Sequence, residues 1–305
     1  MTRLRLNRKW RSYLFAYGFI APAVIFFAVF VAYPSVGALR LSFYQWAGYG
    51  PMKFVGLRNY INLVQDPIFW LSLKNNVIFV IATTFLQTFI PLVLATLLHH
   101  LVSRWVASFF RVSYFVPNIV SFIISGALWA MILEPNFGLL NTILDAVGLG
   151  AWKQLWLADP KLALPSIIMV SLWQSMGFYL VIFAAGLQSI PHELYDAASV
   201  DGAGPLQRFR HVTIPLLRPV TTVVIVINVI GGFKVFDIVW AMTTGGPNHA
   251  SEVLGTYLYT TAFGGIGTGS PAMGYAAAIG IAILALSLAA SIMQIRWGGT
   301  RDLEY

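Results

Sequence analysis

The chain has 305 residues, of which 58% are hydrophobic and only 10% are charged. Soluble globular proteins are about half apolar and about a quarter charged, so the composition excludes an ordinary soluble fold and indicates a membrane protein. The net charge of +8 would suit nucleic acid, but its distribution along the chain favours a topology signal instead. Cysteine is absent, which excludes disulfides and Cys-ligated metals.

Six apolar runs approach the ~20 residues that a helix needs to cross a bilayer. They predict an all-α membrane protein with six transmembrane helices, because lipid offers no partners to exposed backbone N–H and C=O groups. The predicted spans are approximately Tyr13–Tyr33, Asn76–Leu98, Ser113–Leu133, Leu162–Leu187, Val220–Met242 and Ala272–Ile295.

The first span follows a basic stretch and therefore resembles a cleaved signal peptide at first sight. Its apolar run is longer than the roughly 7–15 residues typical of such a peptide. Tyr33-Pro34 also stands where a signal peptide would have small residues before its cleavage site. We expect the segment to be retained as a membrane anchor.

The positions of Lys and Arg predict the orientation, since inner loops are enriched in both. With the N-terminus inside, the inner side holds Arg3, Arg5, Arg8, Lys9, Arg11, Arg104, Arg111, Arg208, Arg210, Arg218, Arg296 and Arg301. The outer side holds Arg40, Lys53, Arg58, Lys74, Lys153 and Lys161. This two-to-one bias predicts that both termini are cytoplasmic, as six spans require.

The loop between the fourth and fifth spans, about residues 188–219 and called the inner loop below, contains YDAASVDGAGPLQRFRHVTIPLLRP. Glu193–Val200 has helical propensity, and glycines at 202 and 204 are expected to end that helix. Gln207–Ile214 can resume it with Phe209 and Val212 on one face. Such a short helix is marginal alone. It would be stabilised by docking into a partner's groove, or it is an amphipathic connection on the membrane surface.

Polar residues inside the spans are candidates for a solute path, because such groups are costly in lipid and usually face the bundle interior. They are Gln87, Tyr114, Asn118, Ser171, Gln174, Ser175, Asn228, Lys234 and Asp237. Ser171, Gln174 and Ser175 share one helix face. Neutral donors and acceptors suit sugar hydroxyls, and Trp173 could stack on a sugar ring. Interhelical hydrogen bonding is the alternative role, and Lys234 and Asp237, three apart, are expected to neutralise each other.

The sequence contains no recognisable arrangement of catalytic or metal-binding residues. It has no G-x-x-x-x-G-K-[ST] phosphate loop, so we expect ATP hydrolysis to occur outside this chain. The five histidines show no metal-ligand spacing with carboxylates. We therefore predict neither a catalytic residue nor a metal site.

The inner loop is similar to the EAA signature of permease subunits in ABC-type importers, with Asp196 where that motif usually has Glu. Further stretches resemble the carbohydrate-uptake branch, which includes the larger maltose-permease subunit and its glycerol-3-phosphate relative. They are FVGLRNY at 54–60, LWQSMGFYLVIFAAGLQSIPHELYDAASVDGA at 172–203, FKVFDIVWAMTTGGP at 233–247, and YLYTTAF followed by PAMGYAAAIG.

The resemblance implies a type I ABC importer permease fold, with one permease domain over residues 1–305 and the inner loop as its coupling loop. It implies a multi-pass protein in the plasma (inner) membrane of a prokaryote. The implied partners are a second homologous permease, an ATPase dimer, an extracytoplasmic solute-binding protein and membrane lipid, with no nucleic acid. This chain would hold no cofactor, because the partner ATPase would bind ATP and Mg.

The resemblance also implies two groups of functional residues. ATPase coupling falls on Glu193, Asp196, Ala197, Ala198, Asp201, Gly202, Phe209 and Pro215. The substrate path carried over by position comprises Tyr114, Asn118, Ser171, Gln174, Ser175, Asn228, Gly231, Gly232 and Val235, to which Trp173 is added as a stacking residue.

The predicted function is that of a permease subunit that moves a sugar or oligosaccharide. A glycerol-phosphate or polyol permease of the same family is the alternative, although Lys234 is the sole basic residue within a predicted span. An ion-coupled secondary transporter is the alternative from another class. Such transporters often contain inverted repeats, none is evident here, and the inner loop would have no role in one.

Overall fold

The computed structural model describes residues 8–100, 103–264 and 270–297, and most of them are helical. The α-helices in these ranges are α1 Arg8–Phe27, α2 Tyr33–Leu41, α3 Arg58–Gln65, α4 Pro67–His100, α5 Arg104–Ile119, α6 Phe122–Ile132, α7 Leu139–Ala146, α8 Ala163–Gln188, α9 His192–Val200, α10 Pro205–Arg208, α11 Ile214–Leu216, α12 Arg218–Phe233, α13 Asp237–Thr243, α14 Leu254–Phe263 and α15 Met273–Trp297. The shorter elements are π-helices at Ala28–Ala32 and Phe209–Thr213, a 3₁₀ turn at Gly150–Trp152, and strands β1 Tyr44–Gln45 and β2 Lys53–Phe54.

Four continuous segments in the described part of the chain are long and apolar enough to cross a membrane. They are Phe15–Leu41, Pro67–His99, Ala163–Gln188 and Met273–Gln294. Two bent helix pairs raise the number to six if each pair forms one span. The first span continues eight residues beyond its predicted end at Tyr33, and the second helix begins nine residues before its predicted start at Asn76.

The third predicted span is not one continuous helix. Helices α5 and α6 meet at an angle of 96°, because Val120 and Ser121 are both extended, with ψ of 141° and 142°. The Val120 carbonyl leaves the helical ladder and accepts a hydrogen bond of 2.8 Å from Gln174 Nε2 on α8. A break at membrane depth is tolerated where a neighbouring helix satisfies the freed backbone group in this way.

The fifth predicted span is also interrupted. Helix α12 ends at Phe233, and α13 begins only at Asp237. Lys234 and Asp237 therefore do not lie one turn apart on a helix, and no ion pair joins their side chains in the described structure. The expectation that these two residues neutralise each other by direct pairing is wrong for this reason. At its other end α12 is bent by 69° from the inner loop.

The chain divides into two compact units. The first comprises residues 1–63 with 261–281, and the second comprises residues 64–260 with 282–305. A single permease domain and cytoplasmic termini stay predictions. Arg3, Arg5 and Arg301, which contribute to the charge bias, lie outside the described residues.

In the first unit, the FVGLRNY stretch organises the chain after α2. Strands β1 and β2 pair antiparallel, with Tyr44 opposite Phe54. Asn59 donates hydrogen bonds from Nδ2 to the carbonyls of Ser42, at 2.8 Å, and Tyr44, at 3.0 Å. The Tyr60 hydroxyl and Ser42 Oγ are 2.6 Å apart. The motif thus fixes the entry into the hairpin through its Asn and Tyr.

Helix α8 is the central element of the second unit. Side chains along its whole length are buried, and Ile167, Leu180 and Phe183 have no exposed surface. Helices α4, α5 and α12 pack around it. Ser171, Gln174 and Ser175 on α8 are buried and therefore face protein rather than lipid, which meets the requirement for polar groups at membrane depth.

Candidate functional site

The inner loop begins with α9, which ends in a Schellman motif. The Ala203 N–H donates to the Ala198 carbonyl at 2.9 Å, and the Gly202 N–H donates to the Ser199 carbonyl at 3.1 Å. The motif needs a left-handed residue at the glycine position, and Gly202 has φ of +79°. The predicted helix over Glu193–Val200 and its end at Gly202 are both present.

The second half of the inner loop folds back against the first half. It runs through α10, the π-helix Phe209–Thr213 and α11. At its start, the Gly204 N–H donates to Gln207 Oε1 at 2.8 Å. Tyr195 Oη on α9 lies 3.0 Å from Thr213 Oγ1, and both residues are buried. Arg208 donates to Ser199 Oγ at 2.9 Å. These contacts hold the two halves of the loop as one unit.

The apolar face of this second half differs from its prediction. Phe209 and Val212 pack against the chain's own core cluster, which includes Phe183, Leu187 and Leu217. Phe209 also borders a cavity of about 520 Å³ between the loop and α4. The face predicted to dock into a partner is thus already occupied within the chain, because the turn at Gly202 folds it back onto α8 and α12.

The remaining predicted coupling residues lie mostly on the surface. Ala198 is half-buried, and the exposed ones are Glu193, Asp196, Ala197, Asp201, Gly202 and Pro215. Two apolar side chains that were not predicted flank the turn, Val200 with 88% and Leu206 with 77% exposure. The most exposed apolar side chains of the inner loop are therefore at its tip, around Gly202, while Leu194 and Ile214 are less exposed.

A cavity of about 270 Å³, called the polar cavity below for its hydroxyl and amide groups, lies in the second unit. Both polar and apolar residues line it, from α4, α6, α8, α12, α13 and the break after α12. Six residues of the predicted substrate path line it: Ser171, Ser175, Asn228, Gly231, Gly232 and Val235. Sequence segments more than 50 residues apart thus meet in one cavity. This is the arrangement that the polar positions within the spans predict.

Hydrogen bonds fix part of the cavity wall. Gln87 Nε2 on α4 donates to Ser171 Oγ on α8 at 3.2 Å, and both side chains are buried. Asn228 is 4% exposed and donates from Nδ2 to the Val224 carbonyl of its own helix at 3.1 Å. Its amide oxygen is left as an acceptor at the wall. The cavity therefore combines neutral donors and acceptors.

The charged residues of the cavity wall lie at the break between α12 and α13. Lys234 and Asp237 both contribute to the lining. Gly231 beside them has no other atom within 4 Å of the place where a Cβ would stand, so the backbone faces open space there. One cation and one anion at the same wall leave the cavity without a formal net charge from this pair.

Four residues of the predicted substrate path do not line this cavity: Tyr114, Asn118, Trp173 and Gln174. Gln174 is 1% exposed and its amide nitrogen is bound to the Val120 carbonyl. Trp173 packs edge-on against Trp129 with ring centroids 5.4 Å apart. Tyr114 stacks on Phe110 on α5, and Asn118 is half-buried near the end of that helix.

Sequence reasoning missed several cavity residues. The apolar ones include Phe79, Phe122 and Phe236, which carry no signal that separates them from ordinary core positions. Thr83 lies one turn before Gln87 on α4 and also lines the cavity. The i, i+4 spacing of these two polar residues within a span was the signal that could have found Thr83.

Within the described residues, no group of three or more His, Asp or Glu side chains is placed to hold a metal ion. The geometry offers binding and passage: a polar cavity, helices broken at membrane depth, and an exposed inner loop. Together they define a transmembrane permease.

The family model described as "binding-protein-dependent transport system inner membrane component" matches residues 87–295. The probable ABC transporter permease protein YurN of Bacillus subtilis is 40% identical over 290 residues, which cover 94% of this chain and 97% of YurN. The arabinooligosaccharides transport system permease protein AraP of the same organism is 33% identical over 300 residues, covering 95% and 92% of the two chains.

A chain of the bacterial alginate ABC transporter, crystallised with an alginate pentasaccharide-bound periplasmic protein, superposes with a TM-score of 0.81 at 24% identity. The match covers 97% of this chain and 99% of that chain. At this identity it shows the fold, which is that of an ABC importer permease.

This chain belongs to the family of binding-protein-dependent transport system inner membrane components. It is the permease subunit of an ABC importer, with the type I fold, and it lies in the inner membrane. The resemblance based on the inner loop is thereby confirmed. A solute-binding protein is the partner that the family description itself names.

Proposed function

We propose that this permease moves a neutral sugar or a short oligosaccharide, and that the polar cavity is its transmembrane solute site. The observation that carries the proposal is a cavity near the lower size limit of small-molecule sites, in which neutral hydroxyl and amide side chains stand among apolar ones. Sugar hydroxyls are both donors and acceptors, so Ser171, Ser175 and Asn228 suit them. AraP matches nearly the whole chain, and its name as an arabinooligosaccharide permease supports an oligosaccharide as the solute.

Charge balance favours a neutral solute over glycerol phosphate. A phosphate group requires cationic or multiple N–H donors to replace its water. Lys234 provides one ammonium group at the cavity, but Asp237 lines the same wall. An anionic solute would meet that carboxylate as well as the ammonium group, whereas hydroxyl groups can donate to one and accept from the other.

The exposed tip of the inner loop is proposed as the surface that engages the ATPase dimer. Val200 and Leu206 provide an apolar contact there, and Glu193, Asp196 and Asp201 provide acceptors around it. The ATPase would bind ATP and Mg, so this chain needs no cofactor and performs no catalytic step. A second permease subunit and membrane lipid would cover its apolar surface, and nucleic acid would not bind.

Uptake by the complete importer in cells tests the solute site. Arabino-oligosaccharide, maltose and glycerol 3-phosphate are the probes, and each is measured with the wild type and with Asn228→Ala and Ser175→Ala. Thr222→Ala is the matched control, because Thr222 is on the same helix as Asn228 and bonds only its own Arg218 carbonyl.

We expect saturable uptake of a neutral sugar by the wild type. The sugar concentration at half-saturation should rise about tenfold in each cavity variant, because one buried hydrogen bond to the solute is lost. The control should match the wild type. Uptake of glycerol 3-phosphate in preference to both sugars would contradict the solute class. Unchanged half-saturation in both cavity variants would contradict the cavity as the site.

A further inference from the structure

Asn76 forms a buried bridge between two helix ends. It lies in the first third of α4 and has no exposed surface. Its Nδ2 donates to the Gly232 carbonyl at 2.8 Å, and its Oδ1 accepts from the Leu254 N–H at 3.2 Å. Helix ends leave such carbonyls and N–H groups without partners in their own helix. One amide side chain bonds to both, at the end of α12, where the Gly232 carbonyl also accepts from the Val235 N–H at 3.3 Å, and at the start of α14.

One of the two bonded backbone groups, the Gly232 carbonyl, lies just before the break that places Lys234 and Asp237 at the polar cavity. Gly232 lines the cavity, and α12 ends one residue later. Lys234, Val235 and Asp237 follow in the break and at the start of α13. Where α12 ends therefore decides where these side chains stand.

Close packing supports the same position. A Cβ on Gly255, the second residue of α14, would lie 2.4 Å from the Val235 carbonyl oxygen. A Cβ on Gly232 would lie 2.9 Å from Val80 Cγ2, on α4 one turn after Asn76. The three elements thus approach so closely that a shift of one must move the others.

We propose that Asn76 is a positioning residue for the solute site. Through the Gly232 carbonyl and the Leu254 N–H, it holds the break in the register that places Lys234 and Asp237 at the cavity wall. The inference rests on the proposed role of the cavity, since Asn76 itself does not line it. Its amide chemistry suits this role, because the uncharged planar amide of Asn donates from Nδ2 and accepts at Oδ1 at the same time.

Asn75 provides the matched control. It is also buried on α4, and its Nδ2 donates to the carbonyls of His249, at 3.1 Å, and Glu252, at 3.0 Å. These carbonyls belong to the connection between α13 and α14, not to the end of α12. Asn75→Leu therefore removes a similar number of buried hydrogen bonds without touching the Gly232 carbonyl.

The first experiment measures uptake of arabino-oligosaccharide or maltose, whichever the wild-type importer transports. We expect Asn76→Leu to raise half-saturation about tenfold, on the scale of one lost buried hydrogen bond, with both proteins assembled at similar levels. Asn75→Leu should lower thermal stability comparably but keep the wild-type half-saturation. Equal half-saturation in the wild type and Asn76→Leu would overturn the inference.

A second experiment needs no solute. The chain has no cysteine, so Lys234→Cys is the only thiol of this subunit, and its labelling by a hydrophilic thiosulfonate in the purified importer can be read on the separated subunit. Adding Asn76→Leu should change the labelling rate, while adding Asn75→Leu should not. Equal rates in all three proteins, or equal changes with both Leu substitutions, would overturn the positioning role.

Further variants keep the inference testable if Asn76→Leu fails to assemble. Asn76→Asp retains an acceptor for Leu254 but presents negative charge to the Gly232 carbonyl, so it should disturb labelling. Asn76→Ser retains a donor and should disturb it less, and the reverse order would contradict the inference. If Asn228→Ala raises half-saturation tenfold while the Asn76 variants behave like the wild type, the positioning role of Asn76 is rejected and the solute role of the cavity stands. Changed labelling with Asn76→Leu but no effect of the cavity variants would instead reject the solute role of the cavity.

Discussion

Gly177 on α8 lies against the backbone of Tyr114 on α5. A Cβ on Gly177 would stand 2.1 Å from the Tyr114 carbonyl oxygen and 2.5 Å from Phe115 Cα. Small residues permit this close approach of helix backbones in membrane bundles. The two helices therefore meet at a point where no side chain can relax, just before α5 breaks into α6.

We expect Gly177→Ala to destabilise the folded permease, because the new methyl group collides with rigid backbone. Overpacking of a close-packed interior costs roughly 1–3 kcal/mol. Gly186→Ala on the same helix is the control, since its Cβ would meet only side-chain ends of Leu217 and Val220 at 2.9 Å. Thermal unfolding of the purified importer measures the difference, and an equal unfolding temperature for the two variants would contradict the prediction.

The left-handed conformation of Gly202 gives a second prediction. Nothing in this chain lies within 4 Å of the position of its Cβ, so within the permease itself a substitution acts through the backbone. Gly202→Val should cost roughly 1–2 kcal/mol in this conformation and should weaken ATPase association. Gly202→Asn should be tolerated better, because Asn adopts left-handed conformations more readily.

Gly204→Ala is the control for the loop, because Gly204 has an extended backbone with φ of −69°. Co-purification of the ATPase and solute-stimulated ATP hydrolysis are the measurements. Full coupling in Gly202→Val would show that the turn does not need its left-handed residue.

Orientation gives a third prediction. In the cysteine-free background, Lys161→Cys should react with a membrane-impermeant maleimide added to intact cells, whereas Arg210→Cys should react only after permeabilisation. Both positions are exposed in the structure, so accessibility depends on the side of the membrane. Labelling of Arg210→Cys in intact cells would reverse the predicted topology.

The continuous helices and the turn of the inner loop could be predicted from the sequence. Apolar length alone identifies a span such as α8, and the Gly202 turn follows a local rule about left-handed residues. The FVGLRNY stretch was noticed, but its hydrogen bonds from Asn59 to Ser42 and Tyr44 were not predictable. They depend on where a hairpin 15 residues away in sequence folds back.

The two breaks within spans could not be predicted in the same way. Hydropathy stays high across Val120, and the charges of Lys234 and Asp237 around Val235 do not show that a helix ends there. Each break is stabilised by an amide from a distant helix. Gln174 reaches Val120 across 54 residues of sequence, and Asn76 reaches Gly232 across 156. Ser171, Gln174 and Ser175 do share one face of α8, as predicted. Ser171 and Ser175 line the cavity, whereas Gln174 bonds to the break between α5 and α6.

That division gives the last prediction. Gln174→Leu removes the hydrogen bond to the half-buried Val120 carbonyl and leaves that group without its side-chain partner, which should cost roughly 1–3 kcal/mol of stability. Because Gln174 does not line the cavity, its effect on solute half-saturation should be smaller than that of Asn228→Ala. Asn228 bonds only within α12, so Asn228→Ala should show the opposite order, a larger transport effect and a smaller loss of stability. Thermal unfolding and sugar uptake, measured on both variants, separate the two roles. A Gln174→Leu protein with wild-type stability and strongly weakened uptake would instead place Gln174 in direct contact with the solute.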